Sequence, residues 1–345
     1  MGGERGGMRG AMGRGQRCAG RWWPILLLMG GLVLSAPAAA QTGDVLLDFQ
    51  FPPELSRENL PANVDPAQQQ QILYQGDYVT TQSTLLGSRE AWEGPEGCAG
   101  ASRGVGLELG FDATFTSGLS LYTFPVAYRL RHNLKLQAAV PLVRRVGNEG
   151  EVEDLGDIST SLSWRWGSPL SLLGITTAIA KAPTGEPNSR DEGEFLPTGT
   201  GSWDYALYQT FVRRLGVWRV DLTVGYRLNT RADFDADVVD GGGSERIELR
   251  NGNVANLIIG VDREVEQVAG LVAGLKVDAR TIASTTFTVD GANQSTPGAF
   301  TAIDLVPALQ WFVGPGTPLR LGLRIPVNHT DNRDIAFDLG LTRAF

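Results

Sequence analysis

The sequence predicts an all-β protein, a transmembrane antiparallel up-and-down β-barrel of about twelve strands preceded by a loop-rich N-terminal segment. Three observations point there. Beyond residue 100, apolar and polar residues alternate in stretches of about ten, the length a tilted strand needs to cross a bilayer. The connections between these stretches are by turns short and long. Composition argues against helices: glycine supplies 44 of 345 residues, and lysine occurs only at Lys135, Lys181 and Lys276.

Composition also narrows the chemistry. The two cysteines, Cys18 and Cys98, and the two histidines, His132 and His329, are too few for a zinc, iron–sulfur or haem centre, and no C-x-x-C-H is present. No cofactor is expected. The formal charge of −8 includes a net +4 in residues 1–40, so the remainder carries −12. Nucleic acid is not an expected partner.

Residues 1–40 read as a secretory signal peptide. Arg5, Arg9, Arg14, Arg17 and Arg21 form the positive region, Ile25 to Leu34 the apolar stretch, and Ala36-Pro37-Ala38-Ala39-Ala40 the small residues before a cleavage site. The apolar stretch is too short for a membrane anchor. Cys18 precedes it, so it is not a lipidated cysteine, and Cys98 is left as an unpaired loop thiol.

Residues 41–102 form the loop-rich segment, with Pro52-Pro53, Pro61, Pro66, the Gln68 to Gln71 run and the glycines Gly94 to Gly100. One short helix is expected near 66–74. The segment is read as a plug, a periplasmic extension or a disordered arm.

The barrel is assigned to residues 103–345. Its first strand, Val105 to Phe115, sets Leu107, Leu109, Phe111 and Ala113 against Glu108, Asp112 and Thr114. The second sets Tyr122, Phe124, Val126, Tyr128 and Leu130 against Thr123, Arg129 and Arg131, and turns at His132-Asn133. The third places Leu134, Leu136, Ala138, Val140 and Leu142 opposite Lys135 and Gln137. The fourth opposes Ile158, Leu162, Trp164 and Trp166 to Ser159, Ser161, Ser163 and Arg165. After Gly167-Ser168-Pro169, the fifth assigns Leu173, Ile175, Thr177 and Ile179 to the apolar side, against Thr176 and Ala178.

The sixth strand begins at Trp203 and Tyr205. In the seventh the two faces differ most: Trp218, Val220, Leu222, Val224, Tyr226 and Leu228 against Arg219, Asp221, Thr223, Arg227 and Asn229. Five further strands are expected at 254–262, 268–280, 299–313, 319–328 and 334–345. Charges on the polar faces are excluded from lipid, so each such face is assigned to an enclosed interior.

Short connections near 132, 168, 215, 264 and 315 are assigned to the periplasmic side. The longer ones at 145–156, 183–201, 231–250, 283–298 and 328–333 are assigned to the outside. Asp235, Asp237, Asp240, Glu245 and Glu248 crowd one loop around Gly241-Gly242-Gly243. They lack the ordered spacing of a calcium loop and are read as a solvated or lipopolysaccharide-facing surface rather than a metal site. Trp164, Trp166, Trp203, Tyr205, Trp218, Tyr226 and Trp311 lie near strand ends, as aromatic girdles do.

The end of the chain, with Ile335, Phe337, Leu339 and Leu341 alternating before Phe345, resembles the terminal strand of bacterial outer-membrane barrels. That resemblance implies recognition of Phe345 by the outer-membrane assembly machinery. Arg343 departs from the pattern, which has an apolar residue at that position.

Several phrases in order, Tyr128-Arg129-Leu130, Ala139-Val140-Pro141-Leu142-Val143, Leu155-Gly156-Asp157-Ile158, Pro183-Thr184-Gly185, Gly199-Thr200-Gly201-Ser202-Trp203-Asp204-Tyr205 and Gly225-Tyr226-Arg227, carry a family resemblance. Over about residues 105–345 the chain resembles the outer-membrane barrel proteins grouped with the phenol meta-pathway of degradation. The resemblance implies a transport-like barrel in the outer membrane of a Gram-negative bacterium, with no catalytic motif.

The alternation assigns Glu108, Asp112, Arg129, Arg165, Arg219, Asp221, Arg227, Lys276, Asp278, Asp304, Arg320 and Arg324 to the lumen as candidate solute-binding residues, together with Lys135, Arg280 and Asp338. Two arrangements are open. Arg165, Arg219, Arg227, Arg320 and Arg324 form a ladder for anionic solutes, or they pair with the acidic residues as buried networks. The expected function is a channel or transporter for small organic solutes, aromatic or anionic ones among them, through a narrow polar lumen. Expected partners are the solute, outer-membrane lipids and lipopolysaccharide.

The alternatives are a scaffolding barrel and an outer-membrane lipid hydrolase. The hydrolase needs a histidine beside a nucleophilic serine, and His329 has Thr330 and Asp331 next to it but no serine within ten residues. A non-enzyme is expected.

Overall fold

The computed structural model describes residues 106–131, 133–147, 150–168, 172–191, 194–237, 244–268, 270–289, 292–295, 299–314, 317–328 and 335–345. The signal peptide, the segment 41–102 with Cys98, His132, Asp240 and His329 lie outside the described residues.

Twelve strands make the wall: β1 (Gly106–Phe115), β2 (Leu119–Arg131), β3 (Leu134–Val146), β4 (Ser159–Ser168), β5 (Leu172–Lys181), β6 (Asp204–Leu215), β7 (Trp218–Asn229), β8 (Val254–Glu264), β9 (Leu271–Ile282), β10 (Phe300–Gly314), β11 (Thr317–Pro326) and β12 (Ala336–Ala344). Each pairs antiparallel with the next in sequence, and β12 returns to β1 from Glu108↔Ala344 to Phe115↔Phe337. Closure is what a bilayer demands of a sheet, because an open edge would leave backbone N–H and C=O groups without partners in hydrocarbon.

Side-chain direction follows period two. Leu207, Leu257, Ile259 and Leu275 are among many large apolar residues exposed on the outside, whereas Asp304 is 0 % and Asp221 1 % exposed within. That inversion of ordinary globular burial is the signature of a wall between lipid and an enclosed interior. Aromatics gather at both ends of the outer face. Trp203 and Tyr205 stack with ring centroids 6.4 Å apart at the outer end, and Trp166 meets Phe211 edge-on at 6.1 Å near the periplasmic end.

The fifth strand corrects one expectation. Ile175, Thr177, Ile179 and Lys181 face inward and are buried, while Ala178 is exposed on the outer face. The register shows the same: Thr177 lies opposite Ser163 and Tyr208, both buried. Apolar residues on this strand therefore do not mark the lipid side. They pack inside, with Ile179 against Ala206 and Tyr208.

The outer connections carry structure of their own. Glu151–Leu155 continues above β4 and pairs with the top of β3. Between Leu155↔Leu142 and Ser159↔Ala139, three residues oppose two, a bulge that turns Asp157 into the interior. Arg231–Asp237, Ser244–Arg250, Thr286–Val289 and Ala292–Ser295 form a separate four-stranded antiparallel sheet, so the connections 231–250 and 283–298 are joined rather than irregular loops.

Candidate functional site

The interior is the candidate site, and its residues are set by strand phase. Charged side chains concentrate on β7–β12 and β1. Asp221 on β7 is approached by Arg219 at 3.9 Å and by Lys276 of β9 at 3.7 Å, and Arg219 also donates to Asp262 of β8. Beside this cluster, Arg324 of β11 donates to Asp278 at 2.7 Å and to Asp304 at 3.1 Å, while Arg280 of β9 donates to Asp304. Each cluster holds two cations and two carboxylates. Inside a low-dielectric wall, such balance offsets the cost of removing four charges from water.

Two further contacts finish this side. Arg320 lies 3.8 Å from Asp112, and Thr114 donates to Asp338 at 2.6 Å. At the periplasmic end, Glu108 accepts from Arg129 at 2.8 Å and from Lys135 at 3.1 Å. Arg227 is buried in the wall between Ala206 and Val254, and Arg165 faces inward on β4 near Asn133. Of the five candidate ladder arginines, Arg219, Arg320 and Arg324 are thus ion-paired to carboxylates of other strands.

The opposite wall, β2–β6, differs between its charged ends, which hold Arg129 and Lys135 on the periplasmic side and Arg145 and Lys181 on the outer side. Between those ends Leu121, Val143, Ile175, Ile179, Ala206 and Tyr208 are buried beside hydroxyl residues. Ser163 and Thr177 share a hydrogen bond at 3.1 Å, and Thr210 reaches Thr223 of β7 at 2.8 Å. The interior is therefore not polar all round, as strand alternation alone suggests. Tyr208 crosses toward the charged side: its ring lies over Gly225, and its hydroxyl accepts from Asn256 at 2.9 Å. A side chain at Gly225 would put Cβ 2.0 Å from the tyrosine ring, so only glycine admits this crossing.

Sequence reasoning missed a third cluster. Lys181, at the outer end of β5, lies 2.8 Å from Asp157 and 2.6 Å from Asp204 and also donates to Thr200. Asp157 further accepts from the backbone N–H groups of Gly185 at 3.1 Å and Thr200 at 2.9 Å. These contacts tie the connection 182–203 to the inside of the wall, where the carbonyl of Thr198 passes close to Gly156. Gly185 and Gly199 cross so closely that a Cβ on either would fall within 3 Å of the other's backbone. The phrases around Asp157, Gly185 and Thr200 noted in the sequence meet at this point. The available signal was Lys181, in phase with Ile179 and Thr177 and unable to face lipid.

Among the described residues no group of histidine, cysteine, aspartate and glutamate side chains is arranged to hold a metal ion. No family model and no curated protein matches the chain. Among solved structures it is similar to an outer-membrane channel from Pseudomonas putida F1, with TM-score 0.53 and 16 % identity over 73 % of this chain and 99 % of that one. It also aligns with the KdgM porin in complex with disordered oligogalacturonate (TM-score 0.43, 8 % identity, 69 % and 99 % covered) and with the NanC porin (0.41, 9 %, 69 % and 98 %). The first of these likenesses is one of fold, and the fold is that of an outer-membrane β-barrel.

Proposed function

We propose that this chain is a channel of the outer membrane that passes small amphipathic organic solutes, aromatic anions foremost. The observation that carries the reading is the division of the inner surface. Balanced clusters of cations and carboxylates line β7–β12, whereas on β2–β6 an apolar, hydroxyl-bearing stretch that includes Tyr208 lies between the charged residues at the two ends of the wall. A benzoate-like solute has the same two sides. Its ring loses water against Ile179 and Tyr208, while its carboxylate exchanges water for N–H donors already held in place. Because those donors sit in balanced clusters, they orient a passing anion without holding it tightly, which is what passage requires.

The likeness in sequence phrases to barrels grouped with the phenol meta-pathway supports the same solute class. The fold shared with the Pseudomonas putida channel supports the channel part of the reading.

The test is uptake into liposomes that contain the full mature chain, comparing benzoate with a neutral sugar of similar size. Benzoate is expected to enter several-fold faster, and Arg227→Glu is expected to reduce that preference at least threefold while leaving sugar entry unchanged. Equal entry of both solutes in the wild type would overturn the reading.

A further inference from the structure

The outer surface at the periplasmic end carries arginines that the solute path does not use. Arg213 on β6 and Arg263 on β8 are exposed on the lipid-facing side, on either side of Trp218 of β7. Register fixes their relation. Leu215, Trp218 and Arg263 lie side by side across three strands, and Arg213 sits two residues further into the apolar band, level with Val220 and Val261. From strand spacing and rise, the two arginine Cα atoms are about 12 Å apart, so both guanidinium groups reach one point above the indole.

Their surroundings show what is missing. The neighbouring Arg214 is supplied with a carboxylate, Glu264, at 2.6 Å. Among the described residues, Arg213 and Arg263 have no carboxylate within ion-pair distance. Arg263 instead lies over the Trp218 ring, 5.1 Å from its centroid. Stacking uses the face of the guanidinium and leaves its in-plane N–H donors directed outward. The same pairing recurs at this rim, with Arg343 5.2 Å from the centroid of the Phe345 ring. At the outer end, by contrast, Arg144 and Arg231 meet Glu151 and Asp233 at 2.5 and 2.6 Å.

We propose that Arg213, Trp218 and Arg263 form a binding site for the headgroup phosphate of an anionic phospholipid in the periplasmic leaflet. The two guanidinium groups supply charge-assisted hydrogen bonds to the phosphate oxygens, Trp218 anchors at headgroup level, and the acyl chains lie on Leu215, Val220 and Val261. Arg213 extends along the barrel toward the interface, keeping its stem in the apolar band and its charge at the phosphate.

The experiment is native mass spectrometry of the full mature chain, titrated with phosphatidylglycerol and with phosphatidylcholine. At least fivefold tighter retention of phosphatidylglycerol is expected. Its fall to the phosphatidylcholine level is expected in the Arg213→Gln, Arg263→Gln double variant, with no change in Arg144→Gln at the opposite end. Lack of preference in the wild type overturns the proposal without reference to any variant, and so does a folded double variant that retains the lipid. Inorganic phosphate at millimolar concentration is expected to leave the lipid bound; its displacement by phosphate alone would mark a simple anion site and overturn the lipid assignment. Should the double variant not fold, Arg263→Lys, which keeps charge but loses the planar fork, is expected to lower retention at least twofold, and unchanged retention would count against the site.

Discussion

The two halves of the barrel wall solve one problem in different ways. On β7–β12, interior positions hold charge, and stability rests on clusters such as Asp278, Arg280, Asp304 and Arg324, all 3 % exposed or less. On β2–β6, interior positions between the charged ends of the wall hold Leu121, Ile175 and Ile179, and stability rests on packing. Both halves are equally greasy outside, since lipid imposes that face. The inner face is the free choice, and the difference shows where this molecule has placed recognition by charge and where it has placed contact with apolar surface.

The largest effect expected from breaking the contrast is at Asp304, whose carboxylate serves both Arg280 and Arg324. Asp304→Ala leaves two buried cations sharing Asp278, which should lower stability by about 3–5 kcal/mol. Urea unfolding of the refolded protein in detergent micelles reads this as a lower midpoint. The matching change on the other half, Leu121→Ala, removes a buried side chain from the group with Leu119 and Val143 and should cost about 2–4 kcal/mol. A larger loss at Leu121 than at Asp304 would reverse the proposed division of labour.

The smallest effect lies outside the bilayer. The hydrogen bond from Arg144 holds the exposed Glu151 carboxyl below its usual range. A carboxylate whose value is lowered by folding stabilises the folded form above its unfolded value, and that contribution fades as pH falls through the folded one. Acidification below the ordinary carboxylate range should therefore speed amide exchange, relative to intrinsic rates, in the hairpin of Arg144 and Glu151, by a small factor because the pair is solvent-screened. Glu151→Gln should reproduce that change at neutral pH.

How far these features were legible depended on whether charge reported the inner face. In β7, Arg219, Asp221, Arg227 and Asn229 occupy one phase, so alternation named the lumen side directly. In β5 both phases are neutral over most of the strand, and β-branched Ile175 and Ile179 suit a packed interior as well as lipid. Only Lys181, at the strand's last position, breaks the tie. Asp157 was hidden for another reason: a bulge adds a residue to its strand, and its partners Lys181 and Thr200 lie 24 and 43 residues away in sequence. The outer sheet was read as loop because Arg231, Asp233 and Asp235 alternate with only Ala232 and Phe234, a pattern that a solvated turn also produces.

The most direct test of the divided wall is therefore on β5, the strand whose inner face carries no charge before Lys181 at its end. With Cys98 replaced by serine, single cysteines at Ala178 and Ile179 are labelled with bimane and challenged with spin-labelled lipid. Quenching at 178 and none at 179 is the predicted result; quenching at 179 and none at 178 would turn the apolar half of the wall outward and contradict it.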